Sequence, residues 1–417
     1  MSFTPEGKGW IPKYHEMVAK GEIPLDVDQY EFDPEKNLYL NVHDTGLIYG
    51  YPTNFIFYPD EMGKWSTSNS YKLLLYEGFI LSNILNGSSS ELDPKELIDF
   101  YETLNHKKAK KFGLFKGASG DDHDIVDSLL SKRLNIKIHG ESFWLNYLSN
   151  SFIYTDLILY HKLKMGYKFP NLEQRIQDIQ KAALHIIIAA TTSNGIIGEK
   201  EKAVFDMFLA SSSLPDYDKN EIEHLLKAGL TFYDLVLPEE LTWIVRRWFL
   251  EIALIVILAD NVIDPKEQDF LEKLANKLEF SKYELDDAQN SIQSFILNNF
   301  EKLPYLTDKS EFQQIYGSIT KKVVKAVTNN KEKILQELSE SKELVALIKK
   351  STTKELSRDE KKKVRKQLGD LAKSIPALTV FMLPGGAILL PIVLKLLPNL
   401  LPSAFQSNKL EEEGENE

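Results

Sequence analysis

From Ser70 onward the apolar positions fall at helical spacing: Leu73, Leu74, Tyr76, Phe79, Ile80, Ile84 and Leu85 form one broad face before Asn86-Gly87-Ser88 interrupts it. A second helix is predicted from Asp93-Pro94-Lys95-Glu96, which offers an Asp cap, a Pro with preset φ at the first helical position and a Glu at the third. A loop, Gly113 to Asp124, leads into Ile125 to Leu134, and Trp144 to Met165 is denser still, with Leu148, Phe152, Leu157, Leu159 and Tyr160. These segments read as a helical domain over residues 1–170. Its first 65 residues or so are aromatic and rich in turn formers. Alternation at Leu38, Leu40 and Val42 and at Phe55, Phe57 and Tyr58 permits short strands, but the runs are too brief for a sheet, and an irregular lead-in is predicted.

Residues 171–300 contain an internal repeat. NGIIGEKE (Asn194 to Glu201) aligns without gaps on DNVIDPKE (Asp260 to Glu267), an offset of 66 residues (260 − 194). IIIAATTS precedes the first copy and LIVILA the second, and Phe205 and Phe208 correspond to Leu271 and Leu274. Each copy predicts a buried helix, a short turn and an amphipathic helix. In the second turn Asp264 can cap, Pro265 presets φ and Glu267 can bond back to the cap; in the first, Gly198 stands for the cap and Gly195 suits a positive φ. The two hairpins are expected to pack as a bundle with Trp243, Trp248 and Phe249 beside the central helix Leu241 to Leu258.

From Leu303 to Leu347 the pattern turns charged and amphipathic, with Ile319, Val323, Val324, Val327, Ile334, Leu335, Leu338 and Leu344 at helical spacing; residues 301–373 read as a solvated bundle or stalk. The next stretch is different in kind. Ile375 to Leu394 carry no charge, a length that matches the ~20 residues needed to cross a bilayer as a helix. Lys354, Arg358, Lys361, Lys362, Lys363, Arg365, Lys366 and Lys373 precede this run, and Lys395 and Lys409 come after it, ahead of the acidic tail EEEGENE. If the run is a membrane segment, that asymmetry places the bulk of the chain on the cytoplasmic side, with Lys361, Lys362, Lys363, Arg365 and Lys366 expected at the headgroups. Ile375, Pro376, Pro384, Gly385, Gly386, Pro391, Lys395 and Pro398 mark the segment 374–405, spanning or re-entrant; the tail 406–417 is expected to be disordered. Pro376, Pro384, Pro391, Pro398 and Pro402 also fit a soluble alternative, two apolar helices turning at Leu383-Pro384-Gly385-Gly386 and packing on the rest of the protein.

Composition narrows the chemistry. The chain has 417 residues, no cysteine and a formal net charge of −11, which excludes disulfide scaffolds, thiolate metal sites and cysteine nucleophiles and argues against a general nucleic-acid binder. The basic stretch Thr353 to Lys373 holds no aromatic residue on which bases could stack. The N-terminus MSFTPEGKGWIPKYHE has neither a secretory nor a transit pattern, so a cytoplasmic body is expected, at the bacterial inner membrane if the C-terminal run inserts. His139-Gly140-Glu141-Ser142-Phe143 does not complete a nucleophile elbow, and no phosphate loop or zinc spacing occurs; no catalytic residue and no cofactor is assigned, and a non-enzymatic role is expected. Asp121, Asp122, His123 and Asp124 could hold a divalent cation, or could simply cap the helix beginning there.

Two resemblances bear on function. Leu356 to Phe405, with SRDEKKKVRKQLGDLAKSIP and then Leu390-Pro391, Lys395, Leu397-Pro398-Asn399 and Leu401-Pro402-Ser403, resembles the membrane-proximal core of the Letm family, leucine-zipper and EF-hand-containing transmembrane proteins. That resemblance implies membrane association, a link to cation/proton homeostasis and, for bacterial relatives, to biofilm formation. In that family a large ribosome-binding-type region comes after the membrane segment; with twelve residues beyond Phe405 it is expected to be missing here, and on that expectation neither ribosome contact nor autonomous ion transport is carried over. The motif ADNVIDPKE and the adjoining FLEKLANKLEFS resemble the TerB-like helical module over Leu172 to Phe300. This implies a divalent metal at Asp260, Asp264 and Glu267, with Glu199 and Glu201 in the first copy, whereas helix capping accounts for the same acids without a ligand. The expectation is an all-α protein serving as a membrane-associated scaffold or regulator, with a cation/proton homeostasis component or a soluble protein-binding module as alternatives; its protein partner is not specified.

Overall fold

A computed structural model describes residues 3–27, 33–59, 65–104, 121–135, 150–195, 197–258, 263–299 and 327–354, together with residues 317, 320, 321, 324, 325, 356, 357, 360, 363, 364 and 367. Every regular element among them is helical. Two compact units are present, residues 1–288 with 301–306, and residues 289–300 with 307–417.

The first unit opens with α1 (Trp10–Ala19) and α2 (Pro34–Val42), so the lead-in is helical where sequence alternation allowed strands. The reason is local. Asp33 accepts the Glu35 N–H at 2.9 Å and Pro34 presets the first turn, and Leu38, Tyr39 and Val42 then bury on one helical face. Two 3-10 turns, His43–Thr45 and Leu47–Tyr49, bring the chain to α3 (Thr67–Leu85), which stops at Asn86 as its Asn-Gly-Ser signal predicts. α4 (Pro94–Leu104) starts at Asp93, whose carboxylate accepts the Lys95 N–H at 3.0 Å. Glu96 does not close a capping box there; its carboxylate faces Tyr160 and Lys164 instead. α5 (Asp122–Leu134) and α6 (Ile153–Lys164) complete this half. α3 packs directly on α6, and a Cβ built at Gly78 would lie 2.9 Å from Leu157, so the bare glycine lets the two helices approach. Trp144 and Leu148 lie outside the described residues.

α7 (Leu172–Thr191) and α8 (Glu199–Ser211) form the first repeat hairpin, and α10 (Trp243–Ile257) and α11 (Pro265–Lys277) the second, with α9 (Asp216–Ala228) between them. α7 and α10, the two long apolar helices, pack on one another at the centre. Phe205, Phe208, Leu271 and Leu274 are all buried, as their equivalence predicts. α12 (Lys282–Asn299) contributes residues to both units. The second unit contains α13 (Lys331–Glu340) packed on α14 (Lys342–Thr353). Ile334, Leu338 and Leu344 turn inward there with Val327, Ile348, Leu356 and Val364, while Val324 is 37% exposed. Ile319 and Val323 lie outside the described residues.

Candidate functional site

The repeat turns were the sequence's candidate for chemistry, and their geometry is that of matched helix starts. Glu201 accepts the Gly198 N–H at 2.7 Å, and Glu267 accepts the Asp264 N–H at 2.7 Å, the same reach-back bond in both copies. Asp264 in turn accepts from the Lys266 and Glu267 N–H groups at 2.7 and 2.9 Å, closing a reciprocal box. Gly195 takes φ 89°, the conformation for which a glycine was expected. The turns meet one another: the Asn194 side-chain amide donates to the second oxygen of Glu267 at 3.0 Å, and Lys266 Nζ donates to the Asn194 carbonyl at 3.3 Å. Asp264 and Glu267 thus direct their oxygens at backbone and amide N–H groups. Asp260 lies outside the described residues, and among the described residues no group of three or more His, Asp or Glu could hold a metal ion. Asp121 is likewise an N-cap, accepting the Asp124 N–H at 3.0 Å.

A second constellation escaped the sequence reading. Arg247 on α10 is 2% exposed and divides its guanidinium among three elements. It donates to Glu251 Oε1 at 2.7 Å, to Asp287 at 2.9 Å and to the Tyr39 hydroxyl at 3.1 Å. Glu251, fully buried, also accepts from the hydroxyls of Tyr39 and Tyr49, the latter at 2.9 Å, and Tyr49 shares its hydroxyl with His43 Nε2 at 2.6 Å. Burial raises the Asp287 carboxyl and the guanidinium beside it pulls the other way; burial next to Glu251 pushes both tyrosines well above their usual range. Glu35 of α2 adds a further tie, accepting the Ile244 N–H at 3.0 Å at the start of α10 while pairing with Lys162. These bonds lock the N-terminal α2 and its 3-10 turns to the second repeat. Arg247 and Glu251 stand four apart in sequence, but Tyr39 and Tyr49 are some two hundred residues away (247 − 39 = 208), which no local pattern could have linked.

Two buried groups stand alongside. Glu77 accepts the consecutive N–H groups of Ile56, Phe57 and Tyr58 at 2.8, 3.2 and 2.8 Å and the Tyr14 hydroxyl at 3.0 Å. Burial lifts its carboxyl to about 7 against the pull of these donors. Ser82 and His161 Nδ1 meet at 3.0 Å; both are buried, and burial lowers the imidazole to about 4.

The basic stretch begins as a helix start of its own. The Ser357 N–H donates to Glu360 at 2.9 Å and the Glu360 N–H to Ser357 Oγ at 3.3 Å. Lys363 is described and pairs with Glu343 of α14 at 3.0 Å. Lys361, Lys362, Arg365, Lys366 and the segment marked by Ile375, Pro376, Pro384, Gly385, Gly386, Pro391, Lys395 and Pro398 lie outside the described residues. Among the described residues no helix is long and apolar enough to cross a membrane.

Comparison with known proteins bears on this C-terminal part. No curated protein and no solved structure matches the chain. A family model described as LETM1-like, RBD matches residues 356–417, beginning at Leu356, one residue before the Ser357 cap. Residues 356–417 of this chain, in which every regular element among the described residues is helical, are therefore similar to the Letm family.

Proposed function

We propose that the chain is a non-enzymatic, membrane-associated scaffold or regulator, in which a helical body that includes a TerB-like repeat is tethered through its Letm-like C-terminal segment. One observation carries this reading. The Letm-like match over 356–417 coincides with the uncharged run Ile375 to Leu394 and with the cluster of lysines and arginines just before it.

Fractionation of cells expressing the full chain tests it. The protein is expected in the membrane pellet, and deletion of 374–405 is expected to move it to the soluble fraction with its helix content otherwise intact. A full-length chain found freely soluble and monomeric would overturn the tether. Labelling of the acidic tail from either side of the membrane then separates a spanning from a re-entrant segment. The second reading, a cation/proton homeostasis component, is favoured by Lys395, the ionisable residue bordering the uncharged run. It requires cation/proton flux in proteoliposomes that is lost in Lys395→Ala.

A further inference from the structure

The loop that joins α9 to α10 is held at both ends and along its length. The Leu230 carbonyl accepts from Thr192 Oγ1 at 3.1 Å, and at the far end the Arg175 guanidinium donates to the Glu239 and Glu240 carbonyls, each at 2.9 Å. Between these anchors Asp234 accepts from the Thr231 N–H at 3.0 Å and from the Thr231 hydroxyl at 2.5 Å, which closes the 3-10 turn Phe232–Asp234. Leu235 is buried, and Phe232 lies edge-on to Phe270 of α11 at 6.4 Å between ring centres, with Lys277 Nζ 5.4 Å from its own centre.

On this fixed frame Tyr233 is 82% and Val236 76% exposed. One exposed apolar residue needs no explanation. Two on a loop anchored in advance are different, because such a loop gives up little entropy when its outward side chains are covered. The surroundings decide what covers them. The residues about the pair are charged, Asp234, Glu239, Glu240, Lys273 and Lys277 all being exposed, so the apolar surface is a tip and not a face. A protein partner needs about 800 Å² of matched surface on each side, which two projecting side chains do not provide. A bilayer interface needs only an apolar tip, and a tyrosine suits the boundary between headgroups and acyl chains. Lys277, on the Phe232 ring at the base of the loop, supplies a cation for the headgroup layer.

We propose that the loop 230–240 dips Tyr233 and Val236 into the interfacial layer of a lipid bilayer, a second and shallow contact in addition to the C-terminal tether. The inference rests on the tether reading above, which brings the body to a membrane. Glu239 and Glu240 stay in water and limit the depth, and Phe232 and Leu235 keep their places against the body, so the loop enters without changing its fold.

The chain has no cysteine, so Val236→Cys in the full chain carries a polarity-sensitive fluorophore at one site. Tyr217→Cys is the control, at a residue 78% exposed on α9 between Asp216 and Asp218. Both proteins are floated with vesicles of phosphatidylcholine and phosphatidylglycerol, and the label is then challenged with spin-labelled lipid. At position 236 a blue shift and quenching by the lipid are expected; at 217 neither. Tyr233→Asp in the Val236→Cys chain should abolish the shift while flotation persists, because a carboxylate at the tip resists leaving water. If the chain floats and the label at 236 stays aqueous, the loop contact is wrong and the tether stands. Equal shifts at 236 and 217 would report general adsorption and overturn the loop contact as well. A label at 236 that stays aqueous on vesicles but becomes shielded from iodide in a cell extract would assign the pair to a protein and overturn the lipid reading. A chain that does not float overturns both.

Discussion

At the scale of single residues, Asp264 and Glu267 separate two chemistries that share the same side chains. A cap needs only an oxygen acceptor near the N2 and N3 amides, whereas a cation needs charge and several converging oxygens. Asp264→Asn should therefore leave stability within a few tenths of a kcal/mol, and Asp264→Ala should cost about 1 kcal/mol, both read from urea midpoints. A metal site would be harmed by either change, and added chelator would then lower the melting temperature of the wild type. Arg247 is the opposite case, a buried cation whose removal strands its partners. Arg247→Met leaves the buried Glu251 and the partly exposed Asp287 facing one another's charge, and a loss of about 3–5 kcal/mol is expected in equilibrium unfolding. A loss below 1 kcal/mol would mean that the tyrosine hydroxyls alone satisfy Glu251.

At the scale of elements, Glu77 ties α3 to the loop ahead of it. Its folded-state carboxyl sits at about 7 against 4.5 for the free side chain, so between these values the folded chain holds a proton that the unfolded chain has released. The contribution of this group to stability therefore falls as pH rises from 4.5 towards 7, by roughly 3 kcal/mol in all, and is flat above that. The groups facing it are the Tyr14 hydroxyl from α1 and the Ile56, Phe57 and Tyr58 amides, none of which ionises in that window. Denaturant titrations from pH 5 to 7.5 should show this slope in the wild type and lose it in Glu77→Gln, which will also be less stable because an amide NH2 replaces an acceptor. The crossing of α3 and α6 gives a second element-scale expectation: Gly78→Ala must displace the tip of Leu157, and after the roughly 1 kcal/mol that alanine gains over glycine inside a helix a net loss of up to about 2 kcal/mol is expected in urea unfolding.

At the scale of the whole molecule, the unit formed by 1–288 with 301–306 joins the aromatic N-terminus and the repeat in one core. Tyr39, Tyr49 and Glu35 supply bonds that Arg247, Glu251 and the start of α10 cannot replace locally. A fragment of residues 171–300 should accordingly fail to unfold cooperatively, while a fragment of 1–306 should give a single sharp transition by circular dichroism. Cooperative unfolding of the short fragment would show that the repeat is self-sufficient and the buried network an accessory.

How much of this was legible depends on range. The helix from Ser70, its stop at Asn86-Gly87, the caps at Asp93, Asp121 and Asp264 and the equivalence of the two hairpins could be read directly, because periodicity and capping act over a few residues and leave their marks in order. The Letm-like C-terminus was legible for the same reason, as a contiguous block with its own motif. The helix at Pro34–Val42 was expected as part of an irregular lead-in, because three alternating apolar residues suit a short strand as well as a helix, and only burial of Leu38, Tyr39 and Val42 on one face decides for the helix. The chain by itself thus determined the helices marked by periodicity and caps and the Letm-like likeness of its C-terminal block. Tertiary structure alone decided that Arg247 and Glu251 meet tyrosines of a distant segment, that Glu77 gathers a loop and that Glu343 clasps Lys363, since buried charge is stable only where folding brings its partners to it.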